Sequence, residues 1–282
     1  MHAILTADSG STKTHWILSS EQGDILEIKT AGINPVRDSQ SVVLHVLQHE
    51  LLSQMPDGYS PRRIHFYGAG CIAPFSQTVC DALATLFPEA AIQVDTDLMG
   101  AARALCGDRP GIVCILGTGA NCGLYDGQHI TVHVPPLGYI LGDEGSGAVL
   151  GRTLLGNVFK GLLDQEVIDA FHRETGLGLP DVIQRVYRES QPNVFLASLV
   201  PFISRHMDNP GVAEMVVEAF RQFVRRNVAR FRALHSDVHF VGSIAHIFRA
   251  PLAEALSREG MHLGTVLQDP AIQMALYHKD HT

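Results

Sequence analysis

The sequence predicts an α/β protein of two lobes built on one plan, and two observations carry that prediction. Strand-like and helix-like stretches alternate along much of the 282 residues, the pattern of mixed or parallel sheets covered by helices. A composite unit of strand, glycine- and hydroxyl-rich turn, strand, hairpin and strand also occurs twice. Its copies are DSGSTKTHWILSSEQGDILEIKT, starting at Asp8, and LGTGANCGLYDGQHITVHV, starting at Leu116. Such duplication implies two copies of one domain facing each other across a cleft.

The elements follow in order. Ala3 to Ala7, Thr14 to Ser19 and Asp24 to Thr30 read as an antiparallel meander, joined by the Gly10 region and by Glu21-Gln22-Gly23. A helical period runs from about Ser39 to Leu52, then come a strand Arg63 to Tyr67, a helix near Pro74 to Leu86, a short strand Ala91 to Val94 and a helix from Asp97. The pattern restarts near Arg109-Pro110-Gly111 with a buried strand to Leu116, then Gly123 to Tyr125, an Asp126-Gly127 hairpin turn and Gln128 to Val134. From Glu144 to about Arg232 the chain reads as mostly helical. It closes with a strand Val238 to Val241, a Gly242-Ser243 turn, a helix to about Arg258 and a last helix after Asp269-Pro270. The expected lobes are residues 1–107 and 108–269, with a helical insertion in the second.

Composition narrows the partners. Hydrophobic residues make up 46% and charged ones 18%, enough apolar surface for sizeable cores and too little charge for a disordered chain. A net charge of −8 with scattered basic residues repels a polyanion, so a small solute is expected and nucleic acid is not. No apolar stretch approaches the roughly 18 residues of a membrane helix, and no basic-then-apolar leader opens the chain, so the expected location is the cytoplasm and no membrane partner is expected. The five cysteines, Cys71, Cys80, Cys106, Cys114 and Cys122, form neither CxxC nor a zinc spacing and read as reduced, mostly buried thiols.

The two turns, Asp8 to Thr14 and Gly117 to Gly123, are candidates for chemistry. Backbone N–H groups of a turn between two strands form an anion nest, and glycine lets a phosphate approach it. Either turn alone reads first as a plain Gly/Ser hairpin; the pair is what points to a polyphosphate gripped from both sides. Neither is a P-loop, since GxxxxGK[ST] is missing. Asp8 places a carboxylate beside the first nest, where Mg²⁺ would take an oxygen ligand, often through water. Gly10 and the hydroxyls of Ser11, Thr12 and Thr14 suit phosphate oxygens, while Lys13 is given no role. Asp97 reads either as the N-cap of the helix that follows or as a base for a substrate hydroxyl. The small residues Gly100, Ala101 and Ala102 would bring that helix end close to a ligand. Asp143 and Glu144, amid four glycines from Gly138 to Gly151, suit a polar ligand site; Asn34 and the Gly68-Ala69-Gly70 turn suit a polar pocket or ordinary loops. Gly242 in VGSIAHIF suits a close approach to a flat base. The fifteen histidines show no HxH or HExxH metal spacing.

DSGSTKT, LGTGANC, GDEGS and VGSIA occur in the order of the actin, hexokinase and Hsp70 ATPase superfamily. More narrowly the chain, from residue 3 to about 280, resembles the BadF/BadG/BcrA/BcrD ATPase family and its N-acetylglucosamine kinase branch. The resemblance implies two ribonuclease H-like lobes with mixed five-stranded sheets and helices on both faces, ATP and Mg²⁺ between them, and a C-terminal helix of about residues 270–282 packing back on the first lobe. It also implies roles. Asp8 serves the first phosphate motif and the metal, with Gly10, Ser11, Thr12 and Thr14 around it. Gly117, Thr118 and Gly119 form the second phosphate motif, and Gly242 belongs to the adenosine motif. Asp97 is the base, while Asn34, Gly70 and Asp143 hold an amino sugar. The expected activity is phosphorylation of an amino sugar, N-acetylglucosamine at O6 first, with a homodimer as the assembly considered. A dehydratase-activating ATPase of the same family and a non-catalytic ATP- and sugar-binding sensor stand as alternatives; Cys106, Cys114 and Cys122 do not stand at the activators' cluster positions.

Overall fold

The computed structural model describes residues 2–10, 12–20, 22–234 and 237–281. It holds two compact units, one comprising Met1–Pro110, Asp126–Ile130 and Asp269–Thr282, the other Gly111–Tyr125 and Thr131–Gln268. Each contains a five-stranded sheet. In the first, β1 (His2–Ser9), β2 (Lys13–Ser20), β3 (Ile25–Ala31), β4 (Ser60–Gly68) and β5 (Ala91–Thr96) lie in the order β3-β2-β1-β4-β5. The β1–β2 and β2–β3 pairs are antiparallel, while β1–β4 and β4–β5 are parallel. In the second, β6 (Gly111–Leu116), β7 (Ala120–Tyr125), β8 (Ile130–Val134), β9 (Asp237–Val241) and β10 (His262–Leu267) lie in the order β8-β7-β6-β9-β10. Here β6–β7 is antiparallel, and β6–β9 and β9–β10 are parallel. The second sheet repeats the strand order of the first.

Alternation along β2 sorts the first core. Trp16 and Leu18 turn to one face, where Trp16 packs tilted on Phe66 at 5.5 Å and donates its indole N–H to the Thr30 hydroxyl at 3.0 Å. That face is closed by the helix Gln40–Val46, which continues through a π-helical turn to Leu51, and by Ser76–Leu86. Ile17 turns to the other face, against Ala271 and Ala275 of the C-terminal helix Ala271–Asp280. The helix Asp97–Cys106 packs on the same side. A Cβ on Gly100 would come 2.7 Å from Met274 Sδ and 2.8 Å from Tyr67, and Ala101 and Ala102 are buried. These small residues therefore serve close packing within the unit, in place of the ligand approach their composition suggested.

The second core joins β6, β7 and β9 to the helix Gly147–Phe159, the helix Pro210–Phe223, and Phe171, Phe202 and Phe248. The predicted helical stretch proves to be a series of helices, and Pro210–Phe223 also runs on through a π-helical turn, Val224–Val228. Two elements are new relative to the sequence reading: the short helix Gly138–Leu141 and β10. Among the described residues no helix is long and apolar enough to cross a membrane.

Candidate active site

In the first unit the register aligns the carboxyl ends of three parallel strands, since Ser9 pairs with Gly68 and Gly68 with Thr96. Ligands of open α/β sheets bind at such ends. Asp8, the turn after β1, the Gly68–Gly70 turn and Asp97 all belong to this edge.

The first turn is closed by the Gly10 N–H donating to the Lys13 carbonyl at 3.0 Å. Gly32, just past β3, lies against it: a Cβ there would stand 2.8 Å from the backbone nitrogens of both Thr12 and Lys13. Thr12 is exposed, and Ser11 lies outside the described residues. Thr14 takes a different part from the one its hydroxyl suggested. It is fully buried, bonds the Ser9 hydroxyl at 2.7 Å and donates to the Ala31 carbonyl at 3.0 Å. Ser9 in turn donates to the Ile33 carbonyl and accepts from its N–H, each at 3.0 Å. The pair braces the turn from below, and the Thr14 hydroxyl has no face turned to a phosphate.

Asp8 lies opposite His15 in the β1–β2 ladder. Its carboxyl is pushed up to about 7, by burial first and then by the carboxylates of Asp269 and Asp97, with Lys13 pulling it back. A carboxylate raised by burial and, after that, by neighbouring acids is a place where a cation fits. Among the described residues no group of three or more His, Cys, Asp or Glu side chains is gathered around a metal position.

The capping role considered for Asp97 belongs to Thr96, whose hydroxyl accepts from the Met99 N–H at 3.2 Å. Asp97 is the first helical residue, with Oδ1 accepting from the Leu98 N–H at 2.8 Å. Cys71 lies close by, its thiol pushed up to about 12 by burial first and then by Asp97 and Asp95. The structure also brings Asn34 to Gly70. Asn34 Oδ1 accepts from the Val36 N–H at 3.1 Å, and a side chain on Gly70, which has φ +79°, would run into that oxygen.

In the second unit the turn Gly117–Gly119 leaves β6. The carbonyls of Gly117 and Thr118 accept from Gly147 at 2.8 Å and Ala148 at 3.2 Å, the first amides of the helix Gly147–Phe159. In a trans peptide the N–H points opposite to the C=O. The N–H groups of Thr118 and Gly119 are therefore turned away from that helix, presented together as an anion nest requires. Asp143 closes the arrangement. Its carboxylate accepts from the Ala120 N–H, and a Cβ on Gly119 would stand 3.0 Å from its Oδ2. Its backbone is left-handed, φ +52°, and is held by its N–H donating to the Pro136 carbonyl at 2.9 Å. Burial first, opposed by the Ala120 bond and helped by Glu144, pushes its carboxyl up to about 6. Glu144 points elsewhere, to Arg226 at 2.8 Å and Asn227 at 3.3 Å. Gly242, at φ +121°, donates its N–H to the Leu267 carbonyl at 2.9 Å, and a Cβ there would stand 2.8 Å from the carbonyl carbon of Leu116. It therefore packs against the root of the turn.

Sequence reasoning missed Gly32, His15 and Asp269. The first two carried a usable signal: Gly32 follows the strand that pairs with the turn, and His15 shares a strand face with Lys13. Asp269 stands far along the chain and carried none.

Two sheets of one strand order, each with a glycine turn after its first strand, define the two-lobed actin-like ATPase fold. No protein-family model and no curated protein matches the chain. Solved structures do. The putative N-acetylglucosamine kinase of Porphyromonas gingivalis is 43% identical, superposes with a TM-score of 0.93, and is matched over 99% of this chain and 100% of that one. The chain belongs to the family of that protein. A putative N-acetylglucosamine kinase of Chromobacterium violaceum is 20% identical, with a TM-score of 0.72 over 98% of both chains. A putative N-acetylmannosamine kinase of Listeria monocytogenes is 16% identical, with a TM-score of 0.57 over 99% of this chain and 100% of that one. These two share the fold.

Proposed function

We propose that the chain is an ATP-dependent kinase that phosphorylates a hydroxyl of an amino sugar, with O6 of N-acetylglucosamine as the first acceptor to test. The observation that carries this reading is the full-length likeness, at 43% identity, to the Porphyromonas gingivalis protein. Within the superfamily we place it on the N-acetylglucosamine kinase branch of the BadF/BadG/BcrA/BcrD family, on the order of DSGSTKT, LGTGANC, GDEGS and VGSIA.

In this reading Gly10, Ser11 and Thr12 of the first turn and Gly117, Thr118 and Gly119 of the second contact phosphate oxygens. Gly242 lets adenosine approach bare backbone, and Asn34, Gly70 and Asp143 hold acceptor hydroxyls. Asp97 takes the proton from the acceptor hydroxyl while the new O–P bond forms. The bond from the γ-phosphorus to the bridging oxygen breaks, and ADP leaves with its electron pair. Mg²⁺, held through water by Asp8, would supply neutralisation of the polyphosphate charge. Phosphoryl transfer asks a protein mainly for alignment and charge stabilisation. Backbone nests at the ends of strands suit that demand.

The test is coupled ADP release from MgATP with N-acetylglucosamine, glucosamine, N-acetylmuramic acid, N-acetylmannosamine, glucose or no sugar. The expected result is turnover that depends on one amino sugar. Equal release in every reaction, including the one without sugar, would replace the kinase by an ATPase.

A further inference from the structure

Cross-strand partners project to the same side of a sheet, as do alternate residues along a strand. Asp8 pairs with His15 and Thr6 with Ile17, so Thr6, Asp8, Lys13, His15 and Ile17 share one face. The C-terminal helix covers that face at Ile17. Asp269 lies just before this helix. Its Oδ1 accepts from the Ala271 N–H at 3.1 Å, and its Oδ2 lies 3.4 Å from Lys13 Nζ and 3.1 Å from His15 Nδ1. The other nitrogen of His15 lies 3.0 Å from Glu27 Oε2. Both basic side chains beside Asp8 are thus committed to other acids.

That commitment has a consequence for Asp8. Lys13 is exposed, and without Asp269 its flexible stem is free to turn to Asp8, which shares its face of the sheet. An ammonium seated there would compete with any metal-bound polyphosphate. We propose that Asp269 is a positioning residue: by holding Lys13 and His15 it keeps them off Asp8, and so keeps that carboxylate available to a magnesium nucleotide. Asp8 lies opposite His15 in the β1–β2 ladder and on the same face as Lys13, so the two side chains that Asp269 holds are the ones beside Asp8. The inference rests on the nucleotide-site reading of the first turn and is independent of the sugar.

Calorimetric binding of MgADP, and of ADP in EDTA, to the full chain tests it. Asp269→Asn keeps an acceptor for the Ala271 N–H but gives up the charge. It is expected to weaken MgADP about tenfold, while metal-free ADP changes less than about twofold. Asp269→Glu should restore most of the loss. Adding Lys13→Met to Asp269→Asn should also restore it, because the competing ammonium is gone, whereas Lys13→Met alone should bind MgADP within about twofold of wild type. A double variant no better than Asp269→Asn, or equal losses for ADP with and without metal, would reduce Asp269 to a helix anchor. A tenfold loss in Lys13→Met alone would make Lys13 a phosphate ligand and overturn the assignment. Wild-type protein that binds no MgADP would instead overturn the nucleotide site itself, a result distinct from intact wild-type binding with an indifferent Asp269→Asn.

Discussion

Lowering the pH from 7 to 5 is expected to loosen the C-terminal helix, and the cost can be worked from two histidines. His278 Nε2 lies 2.8 Å from the Tyr67 hydroxyl, and its ring stacks on His65 at 3.5 Å with 6° between the planes. Arg103 donates to the same hydroxyl and lies over the rings of Tyr67 and Tyr277 at 5.5 and 5.6 Å. Burial first, then His65, Arg103 and His281, pushes His278 down to about 3. Burial first, then Arg103 and Arg63 against a bond from Gln93, pushes His65 down to about 4. Both folded values lie below the unfolded value of 6.5, so the folded state binds fewer protons. Its stability is complete above 6.5 and falls as pH drops toward 4. At pH 5 each histidine sits about 1.5 units below its unfolded value, worth about 2 kcal/mol; discounting the half-exposed His65 to about 1 gives about 3 kcal/mol for the pair. Trp16, the single tryptophan, is buried in this unit and reports its unfolding. Urea unfolding followed by its fluorescence should show wild type losing about 3 kcal/mol more, between pH 7 and 5, than His65→Gln/His278→Gln. Equal losses in both proteins would refute the argument.

Two further outcomes concern the first unit. Asp97→Asn should cut turnover about 10²-fold or more and leave MgADP affinity within a few fold, because the base acts only in the chemical step; normal turnover would remove Asp97 from the mechanism. Gly32→Ala places a methyl 2.8 Å from the nitrogens of Thr12 and Lys13, so the turn must shift. MgADP affinity should drop about tenfold, and unchanged calorimetric affinity would show that this turn does not hold phosphate.

What was legible in the sequence was whatever local chemistry marks. Apolar runs broken by glycine and hydroxyl turns located β1 to β3 and β6, and the doubled pattern implied the second sheet. β10 escaped because Gly264 interrupts it: its ladder with β9 shifts between Leu263 and Val266, and the Thr265 N–H donates to His239 Nδ1 at 3.1 Å. No two-residue period survives that break. Thr96 and Asp97 are both good caps, and only the backbone decides which of two adjacent candidates accepts the bond. Thr14 was readable in principle, since it stands two residues before Trp16 and so faces the core with it. Asp269 was not, because its partners Lys13 and His15 lie 256 and 254 residues away.

The buried carboxylate of Asp143 carries a cost to the fold, and a single substitution should expose it. Its carboxyl is raised to about 6, so the unfolded state, titrating near 3.8, holds fewer protons than the folded state between those values. The stability of the protonated form is complete below 3.8 and is lost as pH rises through 6; at neutral pH the ionised carboxylate is a burden on the fold. Because the carboxylate is partly exposed, that burden is discounted to about 1 kcal/mol. Asn tolerates the left-handed backbone at φ +52° and still offers an oxygen to the Ala120 N–H. Asp143→Asn is therefore expected to stabilise the protein by about 1 kcal/mol at pH 7.5, with the gain vanishing near pH 4, while sugar-dependent turnover falls. The opposition of the two effects is the informative part. A residue kept only for packing would gain stability without losing activity, whereas a variant that loses both would show that the Ala120 bond needs the full charge.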